Sequence, residues 1–231
     1  MNVSQQKKQK DGTIFLTGAT GYLGSRIAYS LSQQGYRIVA LARPSSHIPS
    51  ILEDSEIDWF RFSNYPELRN AFKSERIFDR VQIVVHCATN YGRGDITFID
   101  QLEANLFLPL HLLDIADRQH IPYFINTDTI LDKRVSIYSR SKDQFSDWIK
   151  SGVGKTCALN CVLEHFYGPF DDQTKFLSWL LNSLLFDDCD INLTKGMQKR
   201  DFIYVSDVVS AFVLLIEKID LILAGESYRQ I

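Results

Sequence analysis

The chain is poor in the residues that mark several classes of protein. It has four cysteines in 231 residues, Cys87, Cys157, Cys161 and Cys189, and they show no metal-ligand spacing. His86, His111, His120 and His165 show none either, so no metal site is expected. Cys87 and Cys157 lie in apolar, strand-like runs, where a reduced buried thiol is the common state; that usage points to a cytoplasmic protein. Clustered basic charge is scarce: the one block is Lys7-Lys8-Gln9-Lys10, and the 25 Lys and Arg are outnumbered by 28 Asp and Glu, for a formal net charge of −3. Nucleic acid is therefore not expected as the main partner. No apolar run is long enough to span a bilayer, and the polar N-terminus lacks the apolar stretch of a secretory signal, so no membrane partner is expected. Repeats and low-complexity tracts are absent.

What is present is an ordinary globular composition, 45% hydrophobic and 23% charged, enough for a sizeable core. The length fits one α/β domain rather than two. Residues 1–12 read as a disordered tail. From there strands and helices alternate. Apolar runs at 13–16, 36–41, 57–62, 81–88, 122–126, 156–163 and 202–205 read as strands. Helical spacing marks 25–31, 66–73, 98–119, 139–150, 175–186 and 206–218. Alternation of this kind, with strands apolar throughout, predicts an α/β fold built on a doubly wound parallel sheet.

The first strand runs into Thr17-Gly18-Ala19-Thr20-Gly21-Tyr22-Leu23-Gly24 and then a helix. Glycines allow a sharp turn and a close backbone approach to a pyrophosphate. The free N–H groups and positive dipole end of the helix then face that anion. A strand on one side and a helix on the other are the context such a motif requires. Gly152-Val153-Gly154-Lys155-Thr156 only imitates an ATP-binding loop: Ile149 stands where its first glycine belongs, and the segment precedes a strand instead of following one.

Tyr138 and Lys142 are four residues apart, on one face of a helix. A free tyrosine titrates near ~10, and a neighbouring cation favours the phenolate, so the spacing predicts a phenol tuned down by an ammonium. Such a hydroxyl can exchange a proton with a carbonyl or alcohol oxygen as hydride moves. Thr127 falls at the carboxyl end of the preceding strand, where ligands bind in open parallel sheets, and can polarise the same carbonyl. Thr127, Tyr138 and Lys142 are thus the catalytic candidates.

Together these motifs resemble the extended short-chain dehydrogenase/reductases that act on nucleotide sugars. The matching pieces are T-G-A-T-G-Y-L-G, V-V-H-C-A, Asn105 after Leu102-Glu103-Ala104, N-T-D-T, Y-S-R-S-K, L-E-H-F-Y-G-P at 163–169 and R-D-F-I-Y-V-S-D-V-V at 200–209; they cover 13 to about 217. The resemblance implies a Rossmann-type NAD(P)-binding domain over 13–231, with partial substrate-binding elements at 163–231. It implies that Gly18, Thr20, Gly21, Tyr22, Leu23, Gly24, Cys87, Ala88, Thr89 and Asn105 hold the cofactor, with Lys142 on the nicotinamide ribose. Asn90, Asp128, Glu164, His165 and Arg200 fall to a nucleotide-sugar substrate, Arg200 to its pyrophosphate, where a guanidinium fork suits phosphate oxygens. A homodimer is expected.

Three details narrow the reaction. Arg43, after the second strand, replaces the acid that reads the ribose of NAD and suits a 2′-phosphate, so NADP(H) is favoured over NAD(H). Thr129 stands where the family's dehydratases carry a Glu, which removes the acid for water elimination. The L-E-H-x-Y-G-P and N-T-D-T segments resemble reductases that make CDP-abequose or CDP-paratose in lipopolysaccharide O-antigen biosynthesis. The expected activity is therefore NADPH-dependent reduction of a nucleotide-linked 4-keto-6-deoxyhexose. The alternatives are an NAD-dependent 4-epimerase and a non-catalytic dinucleotide-binding relative. The chain also departs from the family: Thr127 and Tyr138 are closer than usual, Val162 replaces an Arg, and with an end at Ile231 the C-terminal substrate lobe is expected to be largely missing.

Overall fold

The computed structural model describes residues 10–186 and 190–231. Cys189 and residues 1–9 of the expected tail lie outside them. Lys10 is held to the domain: its N–H bonds the Gly35 carbonyl at 3.0 Å, and its ammonium pairs with Glu217 at 2.7 Å.

The elements run β1 Thr13–Thr17, α1 Tyr22–Gln33, β2 Arg37–Ala42, β3 Ile57–Arg61, α2 Tyr65–Ser74, β4 Val81–His86, α3 Phe98–Leu102, a π turn Glu103–Phe107, α4 Leu108–Arg118, β5 Tyr123–Thr129 and α5 Ile137–Lys150. There follow β6 Cys157–Leu163, β7 His165–Tyr167, α6 Phe176–Phe186, β8 Phe202–Tyr204, α7 Val205–Glu217, α8 Ile219–Leu223 and β9 Tyr228–Gln230. Seven strands form one parallel sheet in the order β3-β2-β1-β4-β5-β6-β9, the doubly wound Rossmann arrangement. Strand order reverses between β1 and β4, and that switch point opens a crevice at the carboxyl edge.

Both faces of the sheet are covered, which is why its strands are apolar throughout. On one face Ile14, Leu16 and Leu159 pack against Ile27 and Leu31 of α1 and Phe212 and Ile216 of α7. On the other, Phe15, Val39 and Phe124 pack against Leu68 and Phe72 of α2, Leu112 of α4 and Phe145 of α5.

The helix expected over 98–119 is interrupted by the π turn. Pro109 has no N–H to give the Asn105 carbonyl, so the ladder cannot close there in the ordinary i to i−4 manner. The expected strand at 202–205 pairs outside the main sheet: β8 joins β7 in a small parallel ladder of three registered pairs. β9 completes the main sheet beside β6.

Candidate active site

The glycine turn is shaped by contact as well as conformation. Gly18 has φ +75°, and a Cβ there would sit 2.6 Å from the Ala88 nitrogen and the Cys87 carbonyl carbon. A Cβ on Gly24 would sit 2.2 Å from the Gly18 oxygen, so α1 rests directly on the turn. Gly21 is the N-cap of α1 and brings no capping side chain, which leaves the first amides of the helix available to an anion. Arg26 then ties α1 to the segment after β7, donating to the Tyr22 and Pro169 carbonyls at 2.8 and 2.7 Å.

The crevice above this turn is a cleft of about 1290 Å³. Gly18, Thr20, Gly21, Tyr22, Leu23 and Gly24 line one wall, and Cys87, Ala88 and Thr89 at the end of β4 line the floor. Arg43 and Ser46, after β2, line the far end. Arg61 braces that turn by donating to the carbonyls of Arg43, Pro44 and Ser46 at 2.9–3.0 Å. Phe62, Tyr65 and Glu103 line the same region, with the Tyr65 hydroxyl donating to Glu103 at 2.6 Å. The donor set and the space left by Gly18 fit a nicotinamide dinucleotide.

Thr127, Tyr138 and Lys142 line this cleft opposite the glycine turn. Ser136 caps α5 through the Ser139 amide, and the Ser139 hydroxyl reaches back to the Asp132 carbonyl at 2.9 Å, which fixes Tyr138 in the first helical turn. Lys142, one turn on, is 1% exposed, and its ammonium donates to the Thr127 carbonyl at 2.8 Å. The Thr127 hydroxyl donates to the His86 carbonyl at 2.9 Å.

The electrostatics differ from the sequence expectation. Burial holds the Tyr138 phenol well above its ordinary range, helped by the Tyr91 hydroxyl and by the Asp128 carboxylate; only a bond with the Thr129 hydroxyl opposes them. The expected depression by Lys142 does not operate, because that ammonium is turned to the strand carbonyl. Burial brings Lys142 itself down to about 8, against the pull of Asp128. His86 is buried with its pKa well below the usual range, first through burial and then through Lys142; its Nδ1 lies 2.9 Å from the Thr17 hydroxyl.

Other expected contacts fall into three groups. Asn90, Asp128, Glu164 and His165 line the cleft. Asn105 does not: it stands behind the wall, fully buried, and clamps both backbone groups of Asn90 at 2.8 Å. Arg200 also lies outside the main cleft, lining a neighbouring pocket of about 490 Å³ that shares Ile130, Leu131 and Glu164. Sequence reasoning missed Tyr91, whose ring centre lies 4.8 Å from that of Tyr138. It missed Arg93, which bridges the cleft mouth to Asp172, and the buried Asp171, which pairs with Lys175 at 2.9 Å. These residues sit in loops without periodicity, and Tyr91 and Arg93 are marked only by partners far along the chain.

Known proteins resemble the chain throughout. A family profile described as the NAD dependent epimerase/dehydratase family matches residues 14–229. A CDP-abequose synthase of Salmonella muenchen is 31% identical over 214 residues, 89% of this chain and 70% of that protein. The UDP-glucose 4-epimerase of Thermotoga maritima, solved with UDP-glucose, superposes with a TM-score of 0.74 at 19% identity, covering 89% of this chain and 73% of that one. The Bordetella bronchiseptica enzyme WbmG, solved with NAD and UDP, gives 0.68 at 19% identity, covering 87% and 67%. Fold and site thus define an NAD(P)-dependent enzyme of the extended short-chain dehydrogenase/reductase type. The chain belongs to the NAD dependent epimerase/dehydratase family.

Proposed function

We propose that the chain is an NADPH-dependent reductase of a nucleotide-linked 4-keto-6-deoxyhexose, serving deoxysugar and O-antigen biosynthesis. The observation that carries this reading is the end of β5, where Thr129 presents a hydroxyl to Tyr138 in the position that a dehydratase gives to an acid. The similarity to CDP-abequose synthase supports the same substrate class. When bound, the dinucleotide supplies the hydride. Tyr138, kept protonated by its burial, is in the form that a carbonyl reduction needs, and it donates its proton to the new alkoxide. Lys142 would turn its ammonium from the Thr127 carbonyl, which it holds at 2.8 Å, to stabilise the phenolate left behind and to hold the nicotinamide ribose. Thr127 turns its hydroxyl from the His86 carbonyl to the substrate oxygen.

Arg43 and Ser46, braced by Arg61, form a cationic and hydroxyl-bearing corner suited to a 2′-phosphate, which supports NADP(H). Glu164, His165 and Arg200 extend from the cleft toward the neighbouring pocket and are assigned to the nucleotide sugar. The same reading places the enzyme in the cytoplasm as a homodimer. Incubating the purified protein with NADPH and CDP-, dTDP-, UDP- and GDP-linked 4-keto sugars tests it: NADPH consumption with one of them is expected. A tightly retained NAD, with sugars interconverted and no NADPH consumed, would show a 4-epimerase instead.

A further inference from the structure

Lys142 carries an ammonium into the floor of the cleft with 1% exposure, and no carboxylate forms an ion pair with it among the described residues. A buried cation without a counter-charge sheds its proton. The groups that face it decide its state. His86 ends β4 and Cys87 follows it; the first is held neutral by burial and the second is pushed up to about 12 as a thiol, so neither supplies charge at neutral pH. Asp100 and Glu103, on the helix and π turn packed against α5, are bonded to Thr97 and Tyr65. Tyr138, on its own helix, is a neutral phenol. β6 brings the neutral Asn160. There remains Asp128, the residue next to the carbonyl that Lys142 holds.

Asp128 is anchored. Asn160 donates to its Oδ2 at 2.8 Å, and the Thr129 amide donates to its Oδ1 at 2.8 Å. Asn160 is set in turn by two neighbours. The Asn126 amide donates to its Oδ1 at 2.7 Å, and its Nδ2 also reaches the Ser146 hydroxyl of α5 at 2.9 Å. Asn126, Asp128 and Asn160 are all buried, across two adjacent strands and the helix that carries Lys142. The network fixes a carboxylate beside the floor of the cleft, and its members are neutral apart from that carboxylate.

We propose that Asp128 is a positioning residue, the fixed counter-charge that keeps Lys142 protonated, and that the Asn126–Asn160–Ser146 network exists to hold that carboxylate in place. This refines the proposed reductase reading, which would otherwise give Asp128 to the substrate. A reductase whose lysine must stabilise a phenolate loses that charge when Asp128 is neutralised.

The test is a titration of Lys142 by NMR of ¹³Cε-lysine protein, with the resonance assigned by its loss in Lys142→Met. Asp128→Asn keeps the shape and an acceptor for the Thr129 amide but removes the charge. Its Lys142 pKa is expected to fall by about 1–3 units, and the alkaline limb of the kcat profile should move down with it. An unmoved Lys142 would overturn the inference while leaving the reductase reading to stand on its own NADPH assay; a moved Lys142 in a protein that reduces no sugar would do the reverse. Should Asp128→Asn not fold, Asp128→Ser decides by the same titration of Lys142: it removes the charge and keeps a hydroxyl for Asn160, so the Lys142 pKa should fall likewise, and no change there would overturn the inference equally.

Discussion

At the scale of single residues, the proposed mechanism puts the proton transfer on Tyr138. Its phenol is half-buried, faces Thr129 and Tyr91, and stays protonated at neutral pH. Tyr138→Phe removes one oxygen and little volume. Turnover should fall by about 10²–10⁴-fold, while NADPH affinity, measured by fluorescence titration, stays nearly unchanged; normal turnover would remove Tyr138 from the mechanism. Arg43 allows a second test. Arg43→Asp should weaken NADPH by about tenfold or more, the worth of a charge-assisted bond, and NADH much less; equal losses would show that Arg43 does not read the phosphate. At this scale much was legible in the sequence. Gly18 and Gly24 could be read because only glycine tolerates their contacts. The spacing of Tyr138 and Lys142 could be read as well, since helical geometry is local. The direction of the Lys142 ammonium could not, because it is set by a strand carbonyl fifteen residues earlier.

At the scale of elements, the break in the helix after β4 does the most to shape the cleft wall. The π turn brings Asn105 to a buried position from which its side chain replaces two backbone partners for Asn90. Asn105→Ala strands both groups and should cost about 1–3 kcal/mol in urea unfolding. It should also raise KM, because the loop carrying Thr89, Asn90 and Tyr91 loses its clamp; unchanged stability and KM would contradict this role. The strands were legible because those of a parallel sheet are buried on both faces and read as apolar runs, as Thr13–Thr17 and Arg37–Ala42 do. β7 and β9 are three residues each, too short for a periodicity, and their pairing partners lie far along the chain. The π turn was hidden because Pro109 fits the first turn of an ordinary helix as well as the end of an irregular one.

For the whole molecule, the buried histidine sets a pH dependence. His86 has a folded pKa well below its ordinary value near 6.5, and His111 is lowered as well, mainly by burial and then by Arg69. The unfolded chain therefore binds more protons than the folded one below about 6.5, so stability is full above that pH and is lost as pH falls. The urea midpoint should drop between pH 7 and 5, and His86→Gln should flatten that slope; an unchanged slope would show that another group governs it. The doubly wound class followed from alternation alone, but the strand order and the reversal between β1 and β4 are properties of the assembled sheet. That reversal places the glycine turn opposite Thr127, Tyr138 and Lys142, and the central claim is that hydride crosses the gap between them to a sugar ketone. The most direct measurement is turnover of a CDP-linked 4-keto-6-deoxyhexose with NADPH deuterated at the transferable position, followed by NMR of the sugar. Deuterium at C4 of the reduced product, with one NADPH consumed per sugar, is the predicted result; a sugar free of deuterium, or one inverted without net NADPH consumption, would contradict it.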